Sequence, residues 1–67
     1  MYDAKANGNR LRNLRGDKTL EEVAKATNIS LSALAMYERG ERNPRDEVKL
    51  AFAAYYGVPV ADIFFTS

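Results

Sequence analysis

The chemistry open to this chain is bounded first by the residues it lacks. Its 67 residues include no histidine and no cysteine. The usual general base and the strongest side-chain nucleophile are therefore missing, as are disulfides and ordinary zinc sites. The paired carboxylates Glu21-Glu22 fall on adjacent positions of a helical pattern and point in different directions. No glycine-rich phosphate loop appears. These residues support neither an enzyme nor a metal or cofactor site. What they do support is recognition by guanidinium groups, hydroxyls and amides. Arg10, Arg12 and Arg15 crowd one segment, and Arg39, Arg42 and Arg45 crowd another. Net charge is only +1, so any attraction for a polyanion must come from that distribution.

The elements that would position these groups are organised around residues 19–39, TLEEVAKATNISLSALAMYER. Thr19 is an N-cap residue, and Glu22 three places on completes the T-x-x-E capping box. Val23 and Ala24 fall on the face expected to be buried. Asn28 tolerates a left-handed turn, and Ile29 can plug the angle between two helices. Ser30 then caps a second helix whose apolar positions, Leu34 and Tyr37, recur at helical spacing with Ile29. Gly40 supplies the stop. Two capped helices joined by a tight turn form a helix-turn-helix, and the second of them is a candidate for a DNA major groove.

The order of Thr19, Glu21-Glu22-Val23-Ala24, Asn28-Ile29-Ser30, Tyr37-Glu38-Arg39-Gly40 and Arg42-Asn43-Pro44 resembles the phage repressor/Cro family, also called the xenobiotic-response-element family. The likeness runs from about Arg10 to Phe64. It implies an all-α fold of five short helices with a central helix-turn-helix, binding an operator in double-stranded DNA and regulating transcription. By matching position, Leu31, Ser32, Ala33 and Met36 would meet bases. Thr19, Leu20, Tyr37, Arg42 and Asn43 would meet phosphates, with Arg39 and Arg45 ranked behind them. Arg15 and Glu38 would form a structural ion pair. Many members carry glutamine where this chain has Leu20 and Leu31. Leucine can still touch a thymine methyl. The other reading of two outward leucines is a helical protein-interaction module that uses the Leu20/Leu31 face.

Around this centre the rest of the chain reads as support. Met1 to Ala6 is short and polar and is expected to fray. A first helix is expected from about Asn7 to Arg15 with Leu11 and Leu14 inward. Pro44 keeps Asn43 out of a helix. Asp46 is expected to cap a fourth helix that runs to about Tyr56, with Val48, Phe52, Ala53 and Tyr56 on one face and Gly57 at its end. Val60 to Phe64 makes a last turn or two, docked by Ile63 and Phe64. One domain of residues 1–67 is expected, with no room for a small-molecule domain. No apolar run approaches the roughly 20 residues of a membrane span, and MYDAKANGNR lacks a signal peptide's apolar stretch. The expected location is the cytoplasm of a bacterium, or of the host of a phage or mobile element, at the nucleoid. A homodimer on DNA is expected, with Val60 and Phe65 as the self-association patch.

Overall fold

A computed structural model describes residues 3–64. The described residues form five helices and no strand: α1 Ala4–Arg15, α2 Leu20–Thr27, α3 Leu31–Arg39, α4 Asp46–Tyr56 and α5 Val60–Ile63. Most of the helix ends have a local cause. The Asp3 carboxylate accepts the Ala6 N–H at 3.0 Å and caps α1. That helix therefore begins at Ala4, ahead of the expected Asn7, and residues 4–6 form its first turn instead of fraying. The Glu22 N–H donates to Thr19 Oγ1 at 3.1 Å, and the Thr19 N–H donates back to Glu22 Oε1 at 3.3 Å, closing the capping box on α2. Asn28 ends that helix at φ 61°. Ser30 Oγ accepts the Ala33 N–H at 3.2 Å to start α3. Helix α4 corrects one expectation: Arg45 holds the N-cap position without a side-chain cap bond. Asp46 lies one place inside, where with Glu47 it favours the positive end of the helix dipole.

The core is a stack around Phe52. Leu11, Val23, Leu34, Phe52 and Ile63 are fully enclosed, one from each helix. Burial of each such side chain stabilises the fold by about 1.5–3 kcal/mol. Tyr37 meets the Phe52 ring edge-on at 6.0 Å between centroids, and Phe64 lies tilted at the same distance. Leu14 is not inward as expected: at 36% exposure it sits on the open side of the last turn of α1.

Helix α1 lies close against α3, and two glycines permit the approach. A side chain at Gly8 would run into the carbonyl oxygens of Tyr37 and Glu38. One at Gly40 would meet the Cα of Lys5 at 2.8 Å, and Gly40 also sits at φ 73°, a conformation that favours glycine. Arg10 closes the far side, donating to Asn7 Oδ1 at 2.7 Å and to the Ile63 carbonyl at 3.1 Å. It thereby ties α1 to α5.

Candidate nucleic-acid interface

Helix α3 is held so that one side is sealed and the other open. Its sealed side carries Ala33, Leu34, Tyr37 and Glu38. Opposite them run Ser32, Ala35, Met36 and Arg39, spaced as i, i+3, i+4 and i+7 and therefore on one stripe. Ser32 and Arg39 are exposed, while Ala35 and Met36 are partly so. Leu31, at the capped N-terminus, is 45% exposed. Of the residues expected to meet bases, Leu31, Ser32 and Met36 lie on accessible surface. Ala33 does not. It is buried in the core because its place on the helix falls beside Leu34 and Tyr37, so its expected outward orientation is corrected.

The residues expected at phosphates divide similarly. Thr19, at the N-cap of α2, and Arg42 and Asn43, in the loop after α3, are exposed. Leu20 is half-buried and packs against the core. The Leu20/Leu31 face expected for a protein-interaction module is thus not an exposed leucine pair. Leu20 can reach a phosphate only through its backbone N–H, one of the first-turn donors that a helix leaves unsatisfied. Tyr37, expected at a phosphate, is buried at 5% exposure. Its ring instead supports Arg42, whose guanidinium carbon stands 5.7 Å from the ring centroid, a cation–π distance. Tyr37 therefore aims Arg42.

The structure brings Arg15 and Glu38 together in a two-bond fork. Arg15 Nε donates to Glu38 Oε2 at 2.8 Å, and Nη2 donates to Oε1 at 2.9 Å. Arg15 Nη1 also donates to the Lys18 carbonyl at 2.8 Å. The Glu38 side chain is 4% exposed and that of Arg15 20%. Hydrogen bonding to Glu38 holds the Arg15 guanidinium above the ordinary arginine range. This fork joins the end of α1, the following turn and α3, and so fixes the tilt of the open stripe. Beside it the Tyr56 hydroxyl is buried without a hydrogen-bond partner among the described residues. Burial, with the nearby Glu38 charge adding to it, pushes the hydroxyl up to about 12.

Two features go beyond the sequence reading: how Arg39, ranked there behind the other phosphate candidates, is held, and the exposure of Leu50. Arg39 stands on the same stripe as Ser32, and its fork is taken by Glu41 at 3.0 Å in both bonds. The i+7 spacing from Ser32 was the available signal. Leu50, on α4, is 61% exposed; it sits two places from Val48, off the buried stripe. Val60, expected on an open patch with Phe65, is half-buried and packs on the core, while Phe65 lies outside the described residues. No helix among the described residues is long and apolar enough to cross a membrane.

Two capped helices at a left-handed turn, with the second presenting an open stripe between polar loops, define a helix-turn-helix domain of the phage repressor type. The chain belongs to the helix-turn-helix family, which matches residues 10–63. It is 34% identical over 56 residues to the cryptic phage CTXphi transcriptional repressor RstR of Vibrio cholerae, over 81% of this chain and 50% of that protein. The chain thus spans about half the length of that curated relative. Among solved structures it is similar to the restriction-modification controller protein C.AhdI of Aeromonas hydrophila. There the TM-score is 0.84 and the identity 30%, over 92% of this chain and 97% of that one. It is also similar to the clp gene regulator ClgR of C. glutamicum, with TM-score 0.77 and 35% identity over 90% and 80% of the two chains. For the DNA-binding domain of BldD the TM-score is 0.77 and the identity 29%, over 92% and 93%.

Proposed function

We propose that this helix-turn-helix regulator of transcription binds a specific operator sequence in duplex DNA with the α3 stripe in the major groove. The observation that carries this reading is the partition of α3: every apolar core position faces inward, and Leu31, Ser32 and Met36 remain accessible at and beyond a capped N-terminus. A helix so presented enters a major groove with its N-terminal residues at the base edges. Leu31 supplies an apolar surface for a thymine methyl, and Ser32 a hydroxyl that both donates and accepts. Thr19, the backbone N–H of Leu20, Arg42 and Asn43 fix the register on phosphates. Arg42 enters that contact already aimed by the Tyr37 ring. The likeness to a phage repressor supports a regulator of prophage or mobile-element type.

The working species in this reading is a homodimer. One recognition helix covers a few base pairs, and two copies about a two-fold axis read half-sites one DNA turn apart. The α4–α5 side carries Leu50, the most exposed large apolar residue among the described residues, and is the surface a second copy would cover. Selection of bound duplexes from a random pool at physiological salt tests the function. Enrichment of one inverted repeat supports it, and a pool that stays random after repeated selection rejects it.

A further inference from the structure

The outward stripe of α3 ends on an arginine that is already occupied. Arg39 Nε donates to Glu41 Oε2 and Arg39 Nη2 to Glu41 Oε1, both at 3.0 Å. The two side chains are 53% and 54% exposed. Arg39 lies at i+7 from Ser32, so it points the same way about 10 Å further along the axis. That displacement carries it past the base-reading end of the helix and toward the rim of the groove, where the phosphates run. The pair also borders an open groove of about 460 Å³ whose α1 wall carries Lys5, Asn9 and Arg12. Lys5 and Arg12 are exposed, so three cations converge there and Glu41 sits among them.

We propose that Glu41 is an exchangeable clamp on Arg39, a lower-ranked phosphate candidate of the sequence, and that Arg39 contacts DNA only by leaving it. On the duplex the guanidinium leaves the Glu41 carboxylate for a backbone phosphate. This deepens the DNA-binding reading above and rests on it. The exchange is chemically even-handed, because a carboxylate and a phosphate each offer two oxygens that the planar fork accepts in the same way. Water reaches both partners of the free pair, so the clamp is weak and opens readily. While closed it presets the guanidinium and cancels its charge, which damps attachment to any passing stretch of DNA. A duplex that fits the stripe brings a phosphate close enough to take the arginine over. Glu41 thus trades overall affinity for dependence on fit.

The test measures binding of the wild type, Glu41→Gln, Arg39→Ala and the double variant to a selected duplex and to a scrambled one, across a salt series. The exchange predicts that Glu41→Gln binds both duplexes tighter, on the order of 3- to 10-fold at low salt with the larger gain on the scrambled one, and with the salt slope steeper by about 1. The gain must vanish when Arg39→Ala is added. If Glu41→Gln leaves affinity and slope unchanged, the clamp is overturned. If the gain persists without Arg39, Glu41 acts only as a local negative charge, which also overturns it. Thermal melting of Glu41→Gln at the wild-type temperature keeps folding out of the comparison. Failure of the wild type to prefer the selected duplex is a distinct result, and it removes the DNA reading together with the clamp.

Discussion

Arg15 with Glu38 and Arg39 with Glu41 are the same two-bond fork, built from the same atoms at 2.8–2.9 Å and 3.0 Å. They differ in water. The Glu38 side chain is 4% exposed and that of Glu41 54%. In the first pair, loss of the arginine strands a carboxylate in the interior, and the pair holds two helices at a fixed angle. In the second, solvent replaces either partner at almost no cost, so the pair is free to exchange. The comparison teaches that charge pairing in this small domain has no fixed meaning. Burial decides whether a fork is architecture or a contact in waiting.

The largest expected effect breaks the sealed fork. Arg15→Ala leaves Glu38 buried and unpaired and is expected to destabilise the domain by about 3–5 kcal/mol. Glu38→Ala is expected to cost less, because Arg15, one-fifth exposed, can rehydrate. Denaturant unfolding of both single variants and the double gives the coupling. Equal costs with no coupling would dissolve the contrast between the two forks. On the open side, Arg42→Ala is expected to weaken binding about equally for all sequences and to lower the salt slope by about 1, with the melting temperature retained. A slope that does not move removes Arg42 from the phosphates.

A smaller effect sharpens the sealed side. Burial pushes the Tyr56 hydroxyl from its ordinary 10.0 up to about 12, so the folded state holds that proton more firmly than the unfolded chain. Its contribution is fully present below about pH 10 and is lost as pH rises toward 12. Tyr56→Phe removes a buried hydroxyl that has no hydrogen-bond partner among the described residues. It should be neutral or stabilising at pH 7 and should flatten the alkaline fall, as equilibrium unfolding at stepped pH will record. The smallest effect is that of Glu41→Gln on stability, where no shift in melting temperature is expected. A clear loss would mean that the open fork is structural after all.

How much of this was legible in the sequence follows from the range of each interaction. The capping box at Thr19 and Glu22, the turn at Asn28, the cap at Ser30 and the stop at Gly40 are local signals, and the structure carries each of them. The Arg15–Glu38 fork came from the resemblance, since nothing local links two residues so far apart in the chain. The start of α1 was misplaced because Asn7 and Gly8 weaken a helix on propensity alone. Gly8 is there to let the α3 backbone approach, and that is a tertiary requirement. Ala33 was misassigned because a small side chain gives no apolar signal of its own, although its angular position, about 40° from Tyr37 on the helix, settles its side. Leu50 and Arg39 were legible from spacing once Val48 and Ser32 set the stripes. The Arg39–Glu41 pairing was not, because an exposed two-residue reach depends on the loop conformation after Gly40.

The central claim is that the accessible N-terminal end of α3, Leu31 with Ser32, reads bases, and Leu31→Gln tests it most directly. The residue is 45% exposed, so the substitution should leave the melting temperature and the salt slope near those of the wild type. Base-by-base competition on the selected operator should then show a changed preference confined to one or two positions in each half-site, worth about 1–3 kcal/mol of discrimination. An unchanged preference at every position, with the domain folded and bound, would contradict the account.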